Sequence, residues 1–390
     1  MRLKFSLNRI LSLSTFILIV IYIVVYFLSC QLLEDAYAVG MSEANVLSRI
    51  RSILALVIVL ASLAQFLLSK RKLSRLGRLF LIFSVYLFLH NCYYSFGGIV
   101  NAVNLYTSMT LWIYIYLAFY TYSFYNNSLG NPRTLLFLSV LFFCLLLVNY
   151  FAGVQIKDTY AYIESYFLIT ILPLAYLLEN RKISNSILFL AVVASVLSGK
   201  RTGAIACMIV LVIYVISNHK SIQARILAFL KLLALVACGY FVLSTLLGTR
   251  FDLLVDRMMA LSDDGGSGRD QVFALVLNDF GKSDFFQTIF GHGYNSVINS
   301  ASSLGYSAHN EFLETLYDYG LIGNLLYISI FIVLWRNYRK IKIKKVKTAY
   351  LVSILVFFIN SLFSHQILYT TNIIMLCAFW GYCDARLIRN

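Results

Sequence analysis

Long apolar runs recur from one end of the 390-residue chain to the other, separated by shorter polar segments. The runs are continuous rather than alternating, and most approach the roughly 20 residues that a helix needs to cross a bilayer. In lipid, such runs form helices, because a helix satisfies its backbone hydrogen bonds internally. The pattern predicts an all-α, polytopic membrane protein with twelve spans, at about 10–29, 52–69, 79–97, 103–122, 134–151, 162–178, 184–198, 202–217, 226–247, 312–335, 348–364 and 366–383.

The longest polar interruption, 248–311, predicts one large loop between spans nine and ten of a single membrane domain, 1–390. This loop holds seven aspartates and the run Asp264-Gly265-Gly266-Ser267-Gly268, which is typical of a turn. Within it, 251–261 and 270–280 have helical apolar spacing, which predicts two helices that lie along the membrane surface.

Composition and charge indicate the class of protein and the orientation of the chain in the membrane. Of the residues, 60% are hydrophobic and 13% are charged, which excludes an ordinary soluble domain. The formal charge is +15, and most of the 32 basic residues fall in segments that are cytoplasmic if the N-terminus is inside. Because the number of predicted spans is even, both termini are then expected in the cytoplasm. The positive charge therefore indicates topology rather than binding to nucleic acid.

The polar stretch from Gly291 to Gly323, GHGYNSVINSASSLGYSAHNEFLETLYDYGLIG, leads into the tenth span. Ser307 or Asn310 can cap the helix that begins there, and Glu311 suits its positive N-terminus. The stretch is predicted to hold a histidine at the mouth of a spanning helix. A continuous helix would place five of its residues on one face: His309, Leu313, Leu316, Gly320 and Gly323.

The side chains at this helix start can be interpreted in several ways. His309 is either a capping or core histidine or a catalytic base. Glu311, Glu314 and Asp318 need water, a cavity or partners, because a charged side chain in lipid costs about 2.5 kcal/mol or more. One histidine with helical acids is not a specific metal-ligand pattern, and the seven cysteines lack metal spacing. No metal site is predicted.

Two arginine motifs and one glycine motif come earlier in the chain. Arg201 lies in SGKRTG, an outside turn between two helices, where it either reaches lipid headgroups or binds a phosphate. Arg269 lies in GRDQ, where it either belongs to a solvated surface turn or serves a site. Gly291 and Gly293 permit a tight bend or a close backbone approach, and the alternative interpretation is that His292 between them is simply exposed.

Four motifs occur along the chain in the order SGKRTG, GRDQVF, GHG and AHNEFLETLYDYGLIG. In this order they resemble the O-antigen polymerase and O-antigen ligase superfamily of bacterial surface-polysaccharide assembly. The resemblance in motifs covers roughly 195–330, and the flanking spans match only in hydropathy. Two positions depart from the family. His292 stands where an apolar residue is common, and Phe273 stands where a tryptophan is common.

The resemblance implies a GT-C-like membrane glycosyltransferase that works by inverting, metal-independent transfer and needs no cofactor. Its donor would be a glycan on undecaprenyl diphosphate, used at the periplasmic face of the bacterial inner membrane. Its expected partners are the lipid-linked donor and acceptor, membrane lipid, a chain-length regulator and a flippase, and no nucleic acid.

The resemblance also assigns roles to individual residues of this sequence. His309 would be the base or orienting group for the acceptor hydroxyl. The lipid diphosphate would be bound by Arg201 and Arg269, with Arg250 and Arg257 as secondary candidates. The acceptor sugar or the histidine would be contacted by Asn310, Glu311 and Glu314.

Three functions fit these features. A polymerase would join repeat units into O-antigen or capsule-type polysaccharide, and the acidic, hydroxyl-rich loop favours this alternative because it suits a neutral or weakly charged sugar chain. A ligase would pass the glycan to lipid A–core, whose phosphates favour a basic surface. A lipid-linked oligosaccharide flippase or other transporter should carry midplane charges and broken helices in matching halves, which the sequence does not display.

Overall fold

The computed structural model describes most of the chain, and the regular secondary structure of the described residues is helical. The described residues are 2–39, 46–94, 98–125, 133–153, 169–198, 201–218, 221–230, 265–299, 307–363 and 373–387, with isolated positions between 234 and 259. Within these ranges no residue lies in a β-strand. The predicted all-α class is confirmed.

In chain order the helices are α1 (Arg2–Val39), α2 (Val46–Ser69), α3 (Arg75–Tyr94), α4 (Gly98–Tyr125), α5 (Arg133–Gly153), α6 (Leu172–Leu177), α7 (Arg181–Ser198), α8 (Arg201–Asn218), α9 (Gly265–Gly281), α10 (Phe285–Phe290), α11 (Ser296–Asn299), α12 (Glu311–Lys340), α13 (Lys344–Phe363) and α14 (Ile374–Leu387). Residues 222–230 are also helical. The predicted helix at 270–280 lies within α9, and the predicted helix at 251–261 falls largely outside the described residues.

Six helices of the described part are long and apolar enough to cross a membrane, which confirms a multi-pass membrane protein. Two shorter apolar segments, Arg133–Leu145 and Gly203–Ser217, match further predicted spans. Much of the predicted spans 162–178, 226–247 and 366–383 lies outside the described residues, so the count of twelve stays a prediction. The six are Asn8–Leu28, Val46–Ser69, Arg75–Tyr94, Ala102–Ser123, Glu311–Lys340 and Lys344–Phe363.

The helices form two compact groups. The first comprises 1–131, 268–341 and 360–390, and the second comprises 132–267 and 342–359. In the second group, α7 packs between α6 and α8, and the Tyr176 hydroxyl donates to the Val210 carbonyl at 2.6 Å. The predictions of a single membrane domain and of a periplasmic loop at 248–311 stay predictions.

Helix α4 lies at the centre of the first group. Helices α1, α2, α3 and α14 all pack against it, and its residues from 109 to 121 are buried on every side. Helix α14 approaches most closely at Gly381, where an added Cβ would lie 2.4 Å from the Tyr116 carbonyl oxygen. A helix without charged residues is therefore enclosed by other helices over its central turns, which is where a helix that is hydrophobic on all sides belongs.

One end of this group is held by a buried carboxylate, Asp384, which is 1% exposed. It accepts a hydrogen bond from the Tyr116 hydroxyl at 2.9 Å and from the Asn337 amide at 3.2 and 3.3 Å. The Tyr116 hydroxyl also lies 2.5 Å from the Ser74 hydroxyl. The cluster joins α4, α12 and α14 to the start of α3, and these partners offset the cost of burying the carboxylate.

Helix α12 is not straight, because Gly320 has non-helical angles of φ 63° and ψ −169°. In a straight helix, Phe312 and Tyr327 would lie about 22 Å apart along the axis. Their ring centroids are 5.7 Å apart, and the Thr315 hydroxyl donates to Asn324 Oδ1 at 3.1 Å. The helix therefore turns back at Gly320 and consists of a short arm, 311–319, and a long arm, 321–340, that lie side by side.

The fold-back corrects the sequence analysis in two respects. The prediction of one continuous helix through the span 312–335 is wrong, since only the long arm continues past Gly320. The predicted common face that joined His309 and Leu313 to Gly320 and Gly323 is also wrong, because the glycines follow the reversal. The long arm alone still has the roughly 20 residues that a membrane-spanning helix needs.

Candidate functional site

The Gly291-His292-Gly293 segment docks into the break of α12. The His292 amide donates to the Tyr317 carbonyl and the Gly293 amide to the Asp318 carbonyl, both at 3.0 Å. Gly291 and Gly293 have φ values of 87° and 107°, which favour glycine. An added Cβ at Gly291 would lie 2.2 Å from the Asp318 carbonyl oxygen. The predicted close backbone approach is thus confirmed, and its partner is the broken helix.

Three aromatic side chains of α3 hold this junction. Tyr86, His90 and Tyr94 are spaced by four residues and therefore share one helix face. The Tyr86 hydroxyl donates to the Tyr319 carbonyl at 2.6 Å, and the Tyr94 hydroxyl donates to the Gly291 carbonyl at 2.5 Å. His90 Nε2 lies 2.8 Å from the Phe290 carbonyl oxygen, so this nitrogen carries the proton and donates. These bonds pair carbonyls that the helix interruptions leave unsatisfied.

This polar stripe of α3 is not among the features predicted from the sequence. The detectable signal was three hydrogen-bonding side chains at i, i+4 and i+8 in an otherwise apolar span. A polar face inside a spanning helix indicates a buried polar partner. No local pattern, however, could have named carbonyl groups that lie about 200 residues later in the chain.

His292 is half-buried, so the interpretation that it is simply exposed is wrong. Its ring stacks on that of Tyr317 with centroids 4.2 Å apart. Nδ1 lies 3.1 Å from the Tyr317 carbonyl oxygen and must donate to it, which leaves Nε2 to accept from the Ser283 hydroxyl at 3.0 Å. His292 thus fastens the loop after α9 to the short arm.

The acids of the short arm have partners within the protein, one of the alternatives that the sequence left open. Asp318, 1% exposed, accepts from the Asn295 amide at 2.8 Å, the Ser296 amide at 3.0 Å and the Val297 amide at 3.2 Å. It therefore caps the start of α11. Glu314, 2% exposed, accepts from the Ala308 amide at 2.5 Å. These bonds offset part of the cost of removing the two carboxylates from water.

The turn before α12 presents His309 outward. Asn310 caps the helix, because its Oδ1 accepts from the amides of Phe312 at 3.0 Å and Leu313 at 3.3 Å. Of the two predicted caps, the structure selects Asn310. His309 has a left-handed φ of 49°, and its side chain is exposed. It is therefore neither a core histidine nor the residue that caps the helix.

Arg269 lies in a helix rather than in a surface turn, because α9 already begins at Gly265. The predicted turn through the glycine run is thus wrong from Gly265 onward. Arg269 is half-buried and precedes Val272 by three residues, so the two share a helix face. Val272 belongs to an apolar cluster that includes Ala308, the neighbour of His309. The cluster therefore brings the helix that carries Arg269 to the turn that carries His309.

The other predicted diphosphate ligands are less well described. Arg201 is the first residue of α8, as its motif indicated, and nothing is described of its side chain. Arg250 and Arg257 lie outside the described residues. Glu311 is 1% exposed on the first turn of the short arm. Among the described residues, no three His, Cys, Asp or Glu side chains are grouped so that they could hold a metal ion.

These features define a class: a multi-pass helical membrane protein with a polar site at a broken helix. Residues 186–328 match the family model described as O-Antigen ligase. The matched region includes α7, α8 and the site from α9 into the long arm of α12, and it nearly coincides with the region of motif resemblance. The match supports the O-antigen ligase and polymerase superfamily and does not distinguish the two activities. No curated protein matches the chain.

Proposed function

We propose that this protein is an inverting glycosyltransferase that polymerises undecaprenyl-diphosphate-linked repeat units at the periplasmic face of the bacterial inner membrane. The observation that carries the proposal is the turn at His309, which lies in the region matched by the family model. The side chain of His309 is exposed, and its backbone has a left-handed φ. Its neighbours are held by hydrogen bonds, since the Ala308 amide donates to Glu314 and the Asn310 side chain caps the helix. Unusual backbone conformations that the surroundings enforce cluster at functional sites.

In the proposed reaction, His309 accepts the proton of an acceptor hydroxyl as that oxygen attacks the anomeric carbon of the donor. The new glycosidic bond forms while the bond from the anomeric carbon to the diphosphate breaks, and the lipid diphosphate leaves with the bonding electrons. A neutral imidazole suits this role because its ordinary pKa lies near physiological pH. Direct displacement by one acceptor inverts the anomeric configuration.

Arg269 is the first candidate to bind the leaving diphosphate, since α9 packs beside the turn of His309. A guanidinium gives phosphate oxygens two parallel hydrogen bonds and stabilises the charge that develops as the bond breaks. With Arg201 and Arg250 as further ligands, the proposed transfer needs no metal ion. The roles of Arg201 and Arg250 rest on the motif resemblance.

The three remaining site residues take different parts in the proposal. Glu314 acts through the Ala308 amide and therefore positions the turn rather than the imidazole itself. The side-chain oxygen of Asn310, Oδ1, accepts the capping hydrogen bonds. The side-chain nitrogen, Nδ2, is therefore the group that can donate to a sugar hydroxyl. Glu311, on the same arm, is proposed to help orient the acceptor.

The charge of the 248–311 loop favours a polymerase over a ligase. The loop contains seven aspartates against four basic residues, Arg250, Arg257, Arg269 and Lys282. Carboxylates and amides hydrogen-bond sugar hydroxyls, whereas the phosphates of lipid A–core would favour a basic surface. The description of the matched family, O-Antigen ligase, keeps the ligase as the second candidate.

A transporter is less well supported, although Gly320 breaks a helix. Transporters built from repeats carry such broken helices in matching positions of their two halves. Among the helices that the structure describes, α12 alone has a non-helical residue in its interior. The break also positions the Gly291-His292-Gly293 segment and the short arm, which gives it a role in the proposed site.

Deleting the gene in its host and resolving the surface polysaccharide on a gel tests the proposal. Loss of a polymerase leaves a single repeat unit on the core and no ladder, and a plasmid copy of the wild-type gene should restore the ladder. Loss of a ligase instead leaves bare core while long polymer accumulates on undecaprenyl diphosphate. A normal ladder in the deletion strain would exclude both activities.

A further inference from the structure

A cavity of about 290 Å³ with a mixed polar and apolar lining lies between α1, α2 and α4, away from the His309 turn. Its described lining consists of five residues with polar side chains, Tyr22, Arg51, Ser52, Asn104 and Ser108, together with Ala55 and Leu105. Residues with polar side chains from three helices thus line one space within segments that are long and apolar enough to cross a membrane. The volume is at the lower end of the range for small-ligand sites, about 300–1,000 Å³.

The charge of the described lining is positive. Among the lining residues that the structure describes, Arg51 alone is charged and none is a carboxylate. Within the described part of the chain, Arg51 has no ion-pair partner, and its guanidinium carbon lies 5.6 Å from the centroid of the Tyr26 ring. The aromatic face orients the guanidinium. An arginine in a spanning helix is costly unless water or an anion compensates it, and the cavity has room for either.

The cavity lies at the same end of its helix group as the broken-helix junction. Tyr94, at the end of α3, donates to Gly291, and α4 begins only four residues later at Gly98. Asn104 and Ser108 follow within the first three turns of α4. Asp384 and its partners occupy the opposite end, where α3 begins.

We propose that this cavity binds the phosphate headgroup of a membrane lipid. Arg51 would give the phosphate a bidentate, charge-assisted contact, and the Asn104 amide would donate to a remaining oxygen. The hydroxyls of Ser52 and Ser108 already donate to the carbonyls of Ser48 and Leu105, so they contribute polarity to the lining rather than donors. Two lipids share this chemistry: the polyprenyl phosphate of a lipid-linked glycan, and an anionic phospholipid of the bilayer. The site is separate from the arginines assigned above to the donor diphosphate.

The neighbouring Arg49 provides a matched control. It lies two residues before Arg51 on α2, is exposed, and does not line the cavity. Positions i and i+2 point to different sides of a helix. Arg49→Gln therefore removes the same charge from the same turn and leaves the cavity intact, whereas Arg51→Gln removes the guanidinium from the cavity.

The purified full chain in detergent is titrated with undecaprenyl phosphate, with phosphatidylglycerol and, as a neutral reference, with phosphatidylcholine, and lipid adducts are counted by native mass spectrometry. Arg51→Gln should weaken binding of at least one anionic lipid about tenfold, the size expected for losing one charge-assisted contact. Arg49→Gln should bind like the wild type, and phosphatidylcholine binding should not change in either variant.

The comparison of the two anionic lipids shows which kind of phosphate headgroup the cavity binds. A loss confined to undecaprenyl phosphate assigns the cavity to a lipid-linked glycan, and a loss for both lipids assigns it to phosphate headgroups in general. If Arg51→Gln fails to fold, Asn104→Leu, an exposed position of the same lining, should give a smaller loss. Equal affinities in Arg51→Gln and Arg49→Gln, or an unchanged affinity in Asn104→Leu where it is the variant tested, would overturn the proposal.

Discussion

The buried carboxylates of the short arm of α12 differ in role from the nearby side chains that can act on a substrate. Asp318 and Glu314 are buried and bind amide groups, so they shape the turn and the capped helix beside it. His309 is exposed and Arg269 is half-buried, and each lies near a member of the same apolar cluster in the chain, Ala308 or Val272. Mutations at the two kinds of residue should therefore differ, the first lowering stability and the second lowering activity alone.

Replacing His309 tests the proposed base. His309→Ala should lower glycan extension at least about a hundredfold, because general-base catalysis contributes about 10²–10⁴ in rate. The protein should stay in the membrane at the wild-type level, since the exposed ring supports no core. Ladder formation in the deletion strain, scored beside membrane abundance by immunoblot, is the measurement. Full activity in His309→Ala would remove its role.

Replacing the arginines tests the diphosphate site. Arg269→Ala and Arg201→Ala should each abolish extension, and Arg201→Lys should rescue it only in part, because lysine keeps the charge and loses the fork. Lys282→Ala is the matched control, since it removes an exposed charge from the same loop. Activity of the purified protein should also survive EDTA. If EDTA abolishes the activity and a divalent ion restores it, the proposal that guanidiniums suffice is wrong.

At the scale of elements, the fold-back of α12 depends on glycine at position 320. The φ of 63° is left-handed, and an added Cβ would lie 2.4 Å from the Ile289 carbonyl oxygen. Helix α3, α10 and the Gly291-His292-Gly293 segment all meet the break. The junction is therefore one cooperative unit, in which a change at the break is felt by each neighbour.

Gly320→Ala should lower the free energy of unfolding by at least about 1–3 kcal/mol, the typical cost of a strained backbone conformation, with the close contact adding to it. Gly281→Ala is the matched control, because an added Cβ there meets nothing within 4 Å. Both variants are heated in detergent, and the soluble fraction is followed by size exclusion. Equal midpoints for the two variants would mean that the break is not needed for stability.

The α3 stripe gives a second prediction at this scale. Tyr86→Phe removes the hydroxyl that pairs the Tyr319 carbonyl and leaves a buried acceptor unsatisfied, which should cost about 1–3 kcal/mol. Tyr93→Phe, on the exposed side of the same helix at 70% exposure, should have no effect. The same melting assay compares them, and indistinguishable midpoints would show that the stripe contributes no net stability.

At the scale of the whole molecule, the distribution of basic residues predicts that 248–311 is outside and 336–347 is inside. Single cysteines are placed at Ser302 and Lys344 of a cysteine-free version, and intact cells are labelled with an impermeant maleimide. Labelling is expected at position 302 only, while permeabilised cells should label at both. Labelling of intact cells at position 344 alone would reverse the predicted orientation, and with it the periplasmic location of the site.

The fold class, most of the described spans and the cap at Asn310 could be read from the amino-acid sequence. Each of these depends on local physics: apolar length against bilayer thickness, and a side-chain oxygen within reach of the next two amides. The order of the motifs was likewise enough to indicate the superfamily that the 186–328 match supports.

The reversal at Gly320, the burial of His292 and the role of the α3 stripe were decided by tertiary structure. In sequence, Gly320 looks like a small residue within a helix, because glycine tolerates both helical and left-handed angles. The choice between them is made by contacts distant in the chain, such as the hydrogen bond from Tyr86 to a carbonyl 233 residues later. Such a bond becomes favourable only once packing has excluded water from both groups, and no local pattern encodes that condition.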